Sequence, residues 1–283
     1  MDPVISRQMY RTLEPFHAMI YFVPEARSAY ERIGLQGRPM GYFASRGAPL
    51  GEVSGETLAA IFYNFHPALV RSVIPAAWER AKPAGISAAR LEAVDAALRR
   101  MLGSSLDAPE VSEAASLARE AVTACAPEGR PLFAATATLP WPDAPHLRLW
   151  HGVTLLREFR FGGHCAALIT EGFSACEALV THAATGEISA KALQSSRAWP
   201  DAEWEATCQR LRERGWLTAE NTLTEEGQAR RAAVEQRTDQ LALPPWEHLG
   251  DVACKRLREL VRPFSKAITE AGTFPVSLSP WED

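Results

Sequence analysis

The chain predicts a mainly α-helical protein made of two pseudo-symmetric winged helix-turn-helix repeats with small β-wings, the first wing reduced. Three observations lead there. The sequence matches itself in order, its second half reads as helix, turn, helix, short extended pair and long helix, and its composition is that of an ordinary globular protein. With 283 residues, 47% of them hydrophobic and 23% charged, it is long enough for about two domains with cores of their own. That balance excludes a disordered chain, a collagen-like repeat and a coiled coil.

Four matched segments carry the repeat. Leu13–Phe22, with Phe16-His17, aligns with Leu147–Leu156, with Trp150-His151; Gly51-Glu52-Val53-Ser54 aligns with Gly186-Glu187-Ile188-Ser189. Further on, Ala89–Val94 aligns with Ala229–Val234, and Glu128-Gly129 with Ala271-Gly272, both taken as helix ends. The implied organisation is a first repeat over 1–138, a Pro-rich linker over 139–146 and a second repeat over 147–283.

Local signals set the elements of the second repeat. A helix from Leu147 to near Arg157 is expected to break at Gly162-Gly163, and His164 then opens a helix that runs to Ile169, with Gly172 as C-cap. Cys176–Ala183 reads as a helix, Gly186 as a breaker and Ser189 as the N-cap of the next helix. Asp201–Arg214 is the following helix, ending at Gly215. Trp216–Leu223 makes two extended pieces around an Asn-containing turn, and Thr224 caps a long helix. Pro244-Pro245-Trp246 opens the last helical segment, with Trp246 as a packing anchor. In the first repeat, Gly47–Gly51 reads as a tight turn or loop, and Phe65–Ile74 as an apolar, buried counterpart of the recognition helix.

The pattern Leu211-Arg212-Glu213-Arg214-Gly215-Trp216-Leu217 … Leu223-Thr224-Glu225-Glu226-Gly227 resembles the wing signature of MarR-like proteins. Over nearly its full length the chain also resembles an actinobacterial helix-turn-helix family of unestablished activity. The matching residues are Gly41–Gly51, Phe62–Phe65, Gly129–Leu132, Leu149–His151, Arg157–His164 and Thr238-Asp239. That family pattern carries His at the position of Phe159 and Asp at that of Gly162, so the resemblance implies a fold and, here, a modified site.

Charge argues against DNA as a partner. Thirty basic against 34 acidic residues leave a net charge of -4, which gives no general pull towards phosphate or anionic membrane. The expected reading end of the second repeat, Asp201-Ala202-Glu203-Trp204-Glu205, presents three carboxylates, and the wing has no Lys or Arg. A ligand-responsive regulator stays open as an alternative, because dimerisation could gather Lys191, Arg197 and Arg210. No basic-then-apolar leader and no apolar run near the ~20 residues of a membrane span are present, so a cytoplasmic protein without membrane contact is expected. The five cysteines are scattered, odd in number and form no C-x-x-C pair, which disfavours disulfides and a cysteine metal site.

The candidate binding residues are His17, Tyr21, Tyr42, Arg46, Tyr63, Asn64, Trp150, His151, Arg157 and His164. His17 and His151 occupy matched places on the first helices, and His17 and Tyr21 share a helical face. Arg46 beside a turn suits a carboxylate or phosphate. Tyr63 and Asn64 offer polar tips on an aromatic surface, while Arg157–His164 alternates charge and aromatic rings. No phosphate loop, nucleophile elbow, dinucleotide fingerprint or H-E-x-x-H spacing occurs, so no reaction, no metal and no cofactor is named. The reading that best absorbs these residues is a cleft between the repeats that holds a small aromatic or anionic molecule, DNA binding having been lost. An enzyme of specialised metabolism using His, Tyr and Arg of that cleft is the other alternative.

Overall fold

A computed structural model describes residues 1–274, so the end of the expected second repeat, 275–283, lies outside the described residues. The first half folds as α1 (Val4–Ala18), α2 (Pro24–Arg32), α3 (Gly37–Gly47), α4 (Gly55–Phe62), α5 (Pro67–Arg71), α6 (Ala76–Arg80), α7 (Pro83–Leu102) and α8 (Pro109–Val122). After α9 (Pro131–Ala137), the second half folds as α10 (Pro145–Thr170), α11 (Ala175–Ala183), α12 (Ala190–Arg197), α13 (Asp201–Glu213), α14 (Glu225–Leu241), α15 (Pro244–Leu249) and α16 (Asp251–Glu270). Proline opens α2, α5, α7, α8, α9, α10 and α15, where its missing N–H costs no helical bond.

Gly51–Ser54 and Gly186–Ser189 each lead into a serine-capped helix. Ser54 caps α4 by accepting from the Thr57 N–H, and Ser189 caps α12 in the same way from Ala192. Thr224 caps α14 through the Gly227 N–H, as expected. The first and last long helices are exchanged between the halves: α1 packs on α16, and α10 packs on α8. One core consequently draws on both halves, with Phe16, Phe43, Phe62 and Leu98 joined by Trp150, Val153, Leu156 and Leu257. A smaller core around Leu168, Leu193, Trp204, Leu211, Trp216 and Val234 holds α11–α14 together.

Several expectations are corrected. The glycine pair does not break the helix, and α10 runs unbroken for 26 residues. A Cβ on Gly162 would stand 2.8 Å from Cγ of Arg130, and one on Gly163 would stand 3.1 Å from its Nη1. The glycines thus make a groove for Arg130, whose guanidinium lies 3.7 Å over the Phe159 ring and donates to the carbonyls of Phe159 and Leu241. The turn expected over Gly47–Gly51 is present as a short 3-10 turn over Ala48–Leu50 with the chain turning at Gly51 (φ 82), and Gly41–Gly47 before it are helical. Gly41 and Gly47 are small because Tyr30 and Leu58 pack against them. Phe65–Ile74 is helical only over α5, and only Phe65, Val70 and Ile74 of that stretch are buried. Pro145 and His146 belong to the first turn of α10, which shortens the linker. Glu128-Gly129 does not end a helix, since α8 stops at Val122. Among the described residues no strand forms: the second wing is a single antiparallel bridge, Leu217 to Leu223, and α6 and α7 are separated by Ala81 and Lys82 alone.

Candidate functional site

Helix α10 supplies one wall of the site because its apolar pattern admits a polar stripe, Trp150–Thr154–Arg157–Glu158–Phe161, as the helix turns. Glu158 is buried and takes a bidentate pair from Arg46 of α3, at 2.8 and 2.7 Å. Arg46 is also 4.6 Å from the Phe62 ring and 4.5 Å from Phe161, so its flat guanidinium is held between two aromatic faces. One turn earlier on α3, the Tyr42 hydroxyl accepts from Arg46 Nη1 at 3.1 Å. Arg157 shares Glu158 at 3.2 Å and lies 3.7 Å from Glu14 of α1. Burial by itself would raise the Glu158 pKa, but Arg46 and Arg157 hold it down to about 2. Glu14 goes the other way: burial raises its pKa, and Arg157 only partly opposes this.

A second chain of contacts runs along α1. His17 meets Thr154 Oγ1 through Nδ1 and the Tyr21 hydroxyl through Nε2, both at 2.9 Å, and its ring stacks on Trp150. Tyr21 ends the 3-10 turn Met19–Tyr21 and accepts from Arg90 Nη2 at 3.3 Å. Arg90, from α7, is buried, donates also to the Ser45 carbonyl and lies over Tyr21 and Trp150, yet among the described residues it has no carboxylate partner. Burial, then Arg157, Arg90 and Arg46, drive the His17 pKa well below its ordinary value, so the imidazole is neutral.

Arg197, at the end of α12, completes the group. It lies 5.0 Å from the Phe65 ring, its charge is felt with those of Arg46 and Arg157, and burial lowers its pKa. Tyr21, Tyr42, Arg157, Phe161, Cys165 and Arg197 sit deep among neighbouring elements yet are only half-buried. They form one cluster where the two halves meet. Behind it, a cavity of about 20 Å³ between α1, α10 and α15, lined by Ser6, Tyr10, Glu14, Arg157, Arg160 and Trp246, has room for about one water.

The cluster gathers His17, Tyr21, Tyr42, Arg46, Trp150 and Arg157 of the candidate residues, and leaves out the rest. Tyr63 donates to the Phe173 carbonyl and the Asn64 carbonyl accepts from the Trp199 indole, so both tie the halves together. His164 bonds Thr238 on α14. His151 makes a T-shaped contact with Trp141, and its buried Nε2 has no partner among the described residues. Glu14, Arg90, Glu158 and Arg197 were missed; the hint lay in Glu158, the one carboxylate of the Arg157–His164 stretch. Among the described residues no group of His, Cys, Asp and Glu is placed to hold a metal ion.

His151 makes a stability prediction. Burial, then Arg90, lower its pKa from 6.5 to about 4, so the unfolded chain binds this proton first as pH falls. Stability is therefore expected to drop between pH 6.5 and 4, by up to roughly 3 kcal/mol from this group. His151→Phe should flatten the melting temperature against pH across that window; an unchanged slope would refute the assignment.

These elements define a helical protein in which a turn-linked helix pair, α12–α13, stands beside an arginine-rich cluster. A family model matches residues 6–275, and the chain belongs to that helix-turn-helix family. No curated protein and no solved structure matches it. No described helix is long and apolar enough to cross a membrane.

Proposed function

We propose that the protein binds a small organic anion with a planar apolar body at this cluster, on a tandem winged-helix plan of the MarR-like kind that has given up DNA binding. The imbalance of buried charge carries the reading: among the described residues, Arg46, Arg90, Arg157 and Arg197 face only the carboxylates of Glu14 and Glu158, and burial raises the Glu14 pKa. Guanidinium groups taken from water without a counter-charge cost several kcal/mol, and a bound carboxylate or phosphate would repay it. The half-buried rings of Phe161 and Tyr42 supply apolar surface beside these charges.

Loss of DNA reading is supported at α13. Asp201 and Glu203 occupy its first turn, and His66 of the first half stands 3.2 Å from Glu203. Glu220 is the sole charge on the bridged wing Leu217–Thr224.

Benzoate tests the proposal as a planar aromatic carboxylate, with benzyl alcohol as its uncharged counterpart. Benzoate at tenfold its Kd should stabilise the fold by about 1.4 kcal/mol, seen as a rise in Tm, and Arg157→Gln should abolish the rise. Equal shifts with benzyl alcohol, or no shift with benzoate, would overturn it.

A further inference from the structure

Two phenols share the cluster, with ring centroids 5.0 Å apart, and their partners assign them opposite hydrogen-bonding roles. The assignment starts at Thr154. Its single hydroxyl hydrogen goes to the Trp150 carbonyl at 2.8 Å, so at 2.9 Å from His17 Nδ1 the threonine oxygen accepts. His17 therefore carries its hydrogen on Nδ1. A neutral imidazole with Nδ1–H has a bare Nε2, which accepts the hydrogen of the Tyr21 hydroxyl. The Tyr21 oxygen receives Arg90 Nη2 as well. It has spent its only hydrogen and keeps one lone pair.

Tyr42 is the reverse. Arg46 is a pure donor, so at 3.1 Å the Tyr42 oxygen accepts, and its own hydrogen meets no acceptor among the described residues. A buried or half-buried hydroxyl with a spare hydrogen, beside another with a spare lone pair, is a pair of unmet demands of opposite sign.

Resting on the anion-binding reading, we infer that Tyr21 and Tyr42 select a ligand bearing a neutral group that both donates and accepts, a hydroxyl or carboxamide, alongside its anionic group. Tyr21 takes the donated hydrogen and Tyr42 supplies one. The arginines fix the charged end; the phenols set which anion is preferred.

The test compares 2-, 3- and 4-hydroxybenzoate with the matching methylbenzoates, near-isosteres that lack the donor, by calorimetric titration of the full chain. At least one ring isomer should bind roughly tenfold tighter as the hydroxyl than as the methyl compound, and in Tyr21→Phe that ratio should fall to near one. If benzoates bind but hydroxyl and methyl compounds bind alike at every position, the selection by the phenols is overturned while the anion site stands. If no member of the panel binds, the anion site itself is overturned and the inference falls with it. Nitrogen-15 NMR of His17 in the wild-type chain checks the polarity without any ligand. A protonated Nδ1 and bare Nε2 support it, and the opposite tautomer would overturn it.

Discussion

Glu158→Gln is expected to cost the fold about 3–5 kcal/mol, the largest loss of any conservative change in the cluster. The amide keeps the shape of the side chain and removes its charge. Arg46 is as buried as Glu158 itself and would be left without its only carboxylate, and Arg157 would keep only Glu14 at 3.7 Å. The cost arises from stranded cations, which is why removing the whole pair should hurt less than removing half. Arg46→Met combined with Glu158→Leu should recover most of the loss, because an apolar pair of similar volume does not have to be desolvated as ions. Urea unfolding of the three chains measures this. A Glu158→Gln chain within about 1 kcal/mol of wild type would show that the pair is dispensable.

Gly227→Ala is the second large effect, expected at about 3 kcal/mol or more. This glycine lies in the first turn of α14, and a Cβ there would sit 2.1 Å from the Trp216 carbonyl oxygen. The obstruction is backbone, so no rotamer change relieves it. That same carbonyl accepts the Thr224 N–H at 3.1 Å, and moving it breaks the contact that closes the wing onto the helix. The glycine of the Leu223-Thr224-Glu225-Glu226-Gly227 pattern is thus explained by a close approach and not by backbone freedom. Thermal unfolding of the variant reads the loss, and a Tm within a degree or two of wild type would contradict it.

What could be read in the sequence was local, and what could not was distant. Ser189 and Thr224 announce their helices because a cap and the N–H it accepts lie three residues apart. Gly162-Gly163 misled for the opposite reason: the side chain that needs their space, Arg130, is about thirty residues away. Gly41 likewise answers to Tyr30 of the preceding helix. His17 with Tyr21 was visible as a four-residue step on one helical face, whereas Tyr42 and Arg46 were visible only as polar groups near a turn. Glu158, Arg90 and Arg197 join them only through tertiary packing, and the excess of positive charge that defines the site belongs to that packing alone.

The exchange of α1 and α10 between the halves also bears on traffic. Each seam, α1 on α16 and α10 on α8, holds one half by the other's leading helix. Swinging the halves apart like a clamshell would tear both seams at once and expose the shared core. If the cluster takes a ligand as proposed, its entry would depend on rotating side chains rather than on a hinge.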